Sequence, residues 1–524
     1  MAKTGTVASA SSKLFLLSLL SPLAGILVEI SLANTFGSSA LIDAYRVSFL
    51  LLMFGTQLFF GQLVTGVLVP LIADYNSKGM EQKGWQVAFS TAAVIVLITL
   101  PGVVFVVAKP EILQQLLGPG LTGEAALQAQ LMLRFFAIVF VIYIWTGVIN
   151  GLLHSYHVFW AQPVGQLITN VALVCLIILV GRGMQEWVFI LAFGFASVLS
   201  ILFYIIAIRS VAIRHSISLS ICFRFKLSLI PFDVLNLAVP IVVLILATQW
   251  STLVINRNLT ELSVGAVADY GYALKLQMLG SLLPLTLATV LFPRLAHAAS
   301  DKDMATVAHL ASRGVQWMLF ISVPAAVIVF FVREPLVGVF YQHGEMSNEG
   351  IHRVSNFLGI LSFVVPVAAL NHLLFKVSYS MKDSVAPLIG QLIVATGMTF
   401  LASMASDYAQ EYGIVTVYVS LTWLAVIFLM VYLQAKYRLW DLRNLLQYLW
   451  RLILAIVVAV FVMEGCLLLV SMLGVHGFSG DVLTVGVVAL SGMVAYLIFS
   501  GLLKMQETAE LVKWFFSVWW TVSR

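Results

Sequence analysis

A run of about 20 predominantly apolar residues is the length that crosses a bilayer as a helix, and only a helix or a closed barrel satisfies its own backbone there. This 524-residue chain carries such runs from end to end, and that repetition limits its fold more than any other feature. Fourteen are read, over 13–37, 44–72, 86–108, 128–153, 157–181, 186–208, 231–256, 265–295, 312–333, 350–376, 384–405, 412–434, 447–473 and 482–504. Only 10% of the residues are charged and 61% are hydrophobic, against a charged share of about a quarter in soluble domains. The expected fold class is therefore an all-α polytopic membrane protein.

Connections between the runs are short. The longest, near 209–230, is basic rather than domain-sized, so no extramembrane catalytic domain is expected. The first run has no small-residue cleavage site and continues through Val28 to Phe36, which reads as a retained helix rather than a signal peptide. Cys175, Cys222 and Cys466 lie too far apart for a disulfide framework or a metal site. His154, His157 and His343 lack the carboxylate or cysteine neighbours of metal ligands, and no phosphate-cradling Walker loop is present. No cofactor and no direct use of ATP are expected; coupling is left to a proton or sodium gradient or to the membrane potential.

With the N-terminus inside, 20 of the 28 Lys and Arg fall on the inner side. Six fall outside, namely Arg46, Lys109, Arg182, Arg257, Arg333 and Arg353, and Arg134 and Lys275 stay within helices. Cytoplasmic loops carry the basic excess in membrane proteins, so both termini are expected in the cytoplasm of a bacterial inner membrane. The net charge of +5 is spread over those loops, where it meets anionic headgroups, and indicates no nucleic-acid partner. The aromatic stretch from Leu511 to Trp520 suits an interfacial helix.

The two halves resemble each other. Val67-Leu68-Val69-Pro70 matches Val290-Leu291-Phe292-Pro293 at a separation of 223 residues, and Gly165-Gln166-Leu167-Ile168 matches Gly390-Gln391-Leu392-Ile393 at 225. A six-helix unit is even-numbered, so both copies enter the membrane from the same side, giving two parallel lobes around a central cavity. The expected organisation is an N-terminal lobe over 1–226, a second lobe over 227–440, two additional helices over 441–505 and a tail over 506–524.

Several strings carry a family resemblance through their order and spacing. In the first half they are Phe36-Gly37, Asp43-Ala44-Tyr45, Val69-Pro70 through Ser77-Lys78, and Gly151 to Ser155 with Pro163. In the second half they are Tyr272-Ala273-Leu274-Lys275-Leu276, Phe340 to Gly344, and Tyr379 to Asp383 with Pro387. The chain resembles the MurJ/MviN lipid II flippases of the multidrug/oligosaccharidyl-lipid/polysaccharide exporter superfamily over nearly its whole length. The resemblance implies a twelve-helix, two-lobed core with two further helices. It implies translocation of an undecaprenyl-diphosphate-linked saccharide, either lipid II or an exopolysaccharide repeat unit, to the outer leaflet by alternating access. It also implies cavity arginines in the first, second and eighth helices. Those positions here hold Pro22 and Val28, then Thr56 and Gln57, and then Lys275, while the acidic position of the second helix is kept as Asp43. The missing arginines favour a paralogue that exports a lipid-linked oligosaccharide other than lipid II.

A charge inside a helix is costly unless it faces a cavity or a partner, which makes each one a candidate for function. Lys275 lies about ten residues into its span and can attract a diphosphate as a point charge; a snorkelling or paired lysine is the plainer reading. Arg134 and Gln57 are weaker cavity candidates, and Arg134 also suits the outer interface. Glu29 lies mid-way along the first span, as a proton or cation site or as the counter-ion of Lys275. Asp43 and Arg46, three residues apart on one helical face, can pair with each other. Gln62, Asn150 and Asn236 more often bond across helices than touch a solute, and Glu464 falls outside the duplicated core.

A monomeric flippase for a lipid-linked saccharide is the favoured function. A cation-coupled multidrug antiporter of the same superfamily, with Glu29 and Asp43 as exchange carboxylates, is the alternative. A membrane glycan polymerase is disfavoured because the outer loops near 257–264 and 334–349 are too short to position catalytic residues.

Overall fold

A computed structural model describes residues 20–58, 68–218, 232–475, 477–511 and 513. Gln62, Cys222, the side chain of Asn236, most of the basic connection before 232 and nearly all of the aromatic tail lie outside the described residues. Every element among the described residues is helical.

The first half contains α1 (Leu20–Phe36), α2 (Ala40–Thr56), α3 (Val69–Ser77), α4 (Glu81–Ala108), α5 (Pro110–Leu117), α6 (Gly123–Ser155), α7 (Ala161–Met184), α8 (Trp187–Arg214) and α9 (Phe232–Leu262). The second contains α10 (Ala266–Ser300), α11 (Met304–Phe331), α12 (Arg333–Tyr341), α13 (Asn348–Ser362), α14 (Val364–Ser380), α15 (Val385–Tyr437), α16 (Leu442–Met472) and α17 (Phe478–Leu502). Eight of these are long and apolar enough to cross a membrane, and nine if α13 and α14, bent by 41°, form one span.

α15 is 53 residues long, with backbone outside the helical region at Ala409 and Gln410. A straight helix of that length would reach about 80 Å. Its two ends instead meet, since Lys436 Nζ lies 2.7 Å from Asp383 Oδ2, just before the helix begins. The segment is therefore an antiparallel pair of legs, in agreement with the separate runs read at 384–405 and 412–434.

The chain divides into two compact units, Met1–Ala268 with Gly344–Met346, and Asp269–His343 with Ser347–Arg524. In the first, α2, α4 and α8 pack on α6, α7 packs on α8, and α9 lies against α2 and α5. One core at an end of this unit joins Trp85 and Phe89 of α4 to Leu152 and Leu153 of α6 and to Tyr204 and Ile208 of α8. In the second unit, α11 packs on α14, α14 on α15, and α16 on α17, with α12 also against α17. Outward-facing side chains such as Ile98, Leu179, Phe400, Phe461 and Leu490 are 68–76% exposed in both units. A surface so apolar belongs in lipid rather than water.

Candidate functional site

In the first unit, α1 and α2 turn tightly into each other at Gly37, whose positive φ of 59° suits a residue without Cβ. Gly37 sits against the Glu345 carbonyl, and Gly344, also at positive φ, sits against Asn34, so a side chain at either glycine would collide with backbone. The Glu345 amide donates to the Asn34 carbonyl at 3.1 Å. This close approach accounts for the glycines in two of the strings that carry the resemblance.

The turn brings Glu29 of α1 beside Arg46 of α2. Arg46 Nη2 lies 2.5 Å from Glu29 Oε2, and Nη1 lies 3.4 Å from Oε1, a two-pronged pair with both side chains at most 15% exposed. A guanidinium fork matches a carboxylate in this way, and the pair removes the cost of two lone charges. Arg46 thus pairs with Glu29, a partner that the sequence reading did not name for it. The i, i+3 spacing to Asp43 permits contact along one helix, and the α1–α2 turn adds a partner from the neighbouring one.

Asp43 is occupied elsewhere. Its Oδ2 accepts the Gly265 amide at 2.6 Å and its Oδ1 accepts the Ala268 amide at 2.8 Å. Those amides open α10, so a carboxylate from α2 caps the positive end of another helix. Asp43 is only 2% exposed, which leaves little of it for a solute or cation. Behind it, Tyr45 stacks on Phe189 at 4.3 Å and Phe136 meets Phe193 edge-on at 5.1 Å, fixing α2 against α6 and α8.

The remaining candidates are spread out. Gln57 is exposed in the π turn that ends α2, and Arg134 is exposed on α6, opposite its buried Met132, Leu133 and Phe136. Asn150 is fully buried and bonds to Gln162 at 3.4 Å, as expected for helix packing. Glu464 is exposed on α16.

Lys275 belongs to the second unit. It is half-buried, ten residues into α10, with exposed Met278 one turn on and buried Tyr272, Ala273 and Leu276 around it. Among the described residues of its own unit, no carboxylate forms an ion pair with it.

Two charged clusters in this unit escaped the sequence reading. Asp269, in the first turn of α10, pairs with Arg353 of α13 at 2.8 Å, both nearly inaccessible. Asp383 collects Lys436 at 2.7 Å, the Tyr432 hydroxyl at 3.0 Å and the Tyr437 hydroxyl at 3.3 Å, and accepts the Val385 and Ala386 amides. Burial alone would raise the Asp383 pKa, but these donors outweigh it and hold the carboxyl below its ordinary value; the same contacts raise Lys436. The only sequence signal was the Tyr379-to-Asp383 string, which carried the resemblance without revealing this contact.

Comparison with known proteins follows the same lines. The family model described as lipid II flippase MurJ matches residues 32–488. A probable lipid II flippase MurJ of Rhizobium meliloti (strain 1021) is 25% identical over 429 residues, covering 78% of this chain and 77% of the relative. A solved lipid II flippase MurJ, in an inward closed conformation, superposes with a TM-score of 0.76 at 19% identity, covering 93% of this chain and 98% of that one. An inward-facing multidrug resistance MATE family transporter superposes with a TM-score of 0.67 at 14% identity, over 80% of this chain and 94% of that one.

Proposed function

Since the chain belongs to the lipid II flippase MurJ family, we propose that it translocates an undecaprenyl-diphosphate-linked saccharide from the cytoplasmic to the outer leaflet by alternating access. The family match, which extends through both compact units, is the observation that carries this reading. The family is one of inner-membrane transporters rather than catalysts. We keep the fourteen spans, the six-plus-six-plus-two organisation, the cytoplasmic termini and the monomeric state as parts of the proposal. The two legs of α15 support the span count.

In this reading Lys275 attracts the diphosphate as a point charge while the headgroup is out of water. Glu29 and Arg46 neutralise each other, and Asp43 holds the start of α10, so these three act as supports of the transport path. The positions of Pro22, Val28, Thr56 and Gln57 favour a saccharide other than that of lipid II. An anionic headgroup moving outward from a negative interior is driven by about 2.3 kcal/mol per charge per 100 mV, so the membrane potential is a sufficient coupling source.

The MATE likeness concerns the fold, and an antiporter remains the second reading. It would use Glu29 and Asp43 as exchange carboxylates, and both are engaged in this structure. Expression in a host depleted of its own lipid II flippase, with surface polysaccharide and drug resistance measured together, tests the proposal. Rescue of growth identifies lipid II as cargo, and restored polysaccharide without rescue identifies a repeat unit. A change confined to drug resistance overturns the flippase reading.

A further inference from the structure

A second site stands apart from the residues above, within the second unit. A cavity of about 390 Å³ lies between α11, the start of α16 and the residues after α17, with Arg313, Gln316, Tyr448, Arg451, Lys504 and Glu507 in its wall. Tyr448 donates to the Gln316 carbonyl at 2.7 Å, which ties α16 to α11 and holds that wall in place.

The charges in the cavity are unevenly matched. Arg313 is neutralised by Glu507 and Glu510, each at 2.6 Å. Asp441 is occupied in capping α16, accepting the Arg443 and Asn444 amides. Arg451 and Lys504 are exposed, and neither forms an ion pair among the described residues. Two cations at the cavity wall are thus left for an anion.

Beside the cavity runs an apolar groove of about 350 Å³, and the two share Val315 and Leu445 in their walls. Leu445, Leu449, Leu452 and Ile456 line it from α16, facing Leu319 and Trp423. Helical spacing puts Asn444, Gln447, Tyr448 and Arg451 on one stripe of α16, and Leu445, Leu449, Leu452 and Ile456 on the adjoining stripe. One helix therefore presents a polar pocket and an apolar channel side by side, at the end that the charge bias assigns to the cytoplasmic leaflet, where anionic lipids concentrate.

We propose that this pocket and groove hold one anionic phospholipid, with its phosphate beside Arg451 and Lys504 and an acyl chain along α16, as a resident lipid distinct from the transported one. Cationic wall and apolar channel together fit a head and a tail, which a free anion does not need. The site does not depend on the cargo reading.

Native mass spectrometry of the full-length protein, delipidated and then offered phosphatidylglycerol, phosphatidylcholine or undecaprenyl phosphate at equal concentrations, tests the proposal. The wild type is expected to retain phosphatidylglycerol in preference to the other two. Arg451→Ala with Lys504→Ala is expected to lower that retention roughly thirtyfold, the product of two basic contacts to an anionic lipid. Arg451→Lys is expected to retain it. Equal retention of phosphatidylcholine by the wild type overturns the proposal without any variant, and so does retention unchanged in the double variant. Preferential retention of undecaprenyl phosphate, or displacement of the lipid by inorganic phosphate alone, overturns it as well.

Discussion

Glu29 and Arg46 face each other across the α1–α2 turn in a two-pronged ion pair of 2.5 and 3.4 Å. Removing one partner leaves the other charge with little access to water, whereas removing both does not. Arg46→Ala is expected to destabilise the protein by about 3 kcal/mol. Glu29→Ala combined with Arg46→Ala is expected to recover much of that loss. Thermal unfolding of the purified variants checks the pair, and equal losses in the single and double variants would count against it.

Asp43 satisfies two amides at the start of α10. Asp43→Ala is expected to cost about 2 kcal/mol, at the upper end for a helix cap, and Asp43→Asn less, because an amide oxygen still accepts. Hydrogen exchange at Gly265 and Ala268 should speed up in the alanine variant. Unchanged protection there would remove the capping role.

Asp383 has a lowered pKa in the folded protein, so its contribution is present above the unfolded value of about 3.9 and is lost as pH falls through the folded one. Its partner Lys436 has a raised pKa, so its contribution is present below about 10.4 and is lost at higher pH. Asp383→Asn is expected to lower the melting temperature near neutral pH, with the difference from wild type fading as pH falls through the lowered folded-state value. A difference independent of pH would show that the carboxylate charge is not what matters.

The helices were legible because apolar length is a local property, and the Ala409–Gln410 break falls between two runs that could be told apart in the sequence. The pairing of charges was less legible. Local spacing linked Asp43 to Arg46, whereas the turn at Gly37 brings Glu29 to Arg46, and α10 brings its first amides to Asp43. Arg353 looked like one more outer charge until α13 placed it against Asp269. Such partners are set by tertiary packing between distant segments, which no periodicity records. Lys275 was legible as a costly charge on its own helix, and its half-buried position on α10 agrees with that.

Translocation of a labelled undecaprenyl-diphosphate-linked saccharide across proteoliposomes, under an imposed membrane potential, tests the central claim most directly. The account predicts transfer by the wild type, a rate at least about tenfold lower for Lys275→Ala, as expected on losing one charge-assisted contact, and recovery in Lys275→Arg. Absence of transfer of any such lipid by the folded wild-type protein would contradict it.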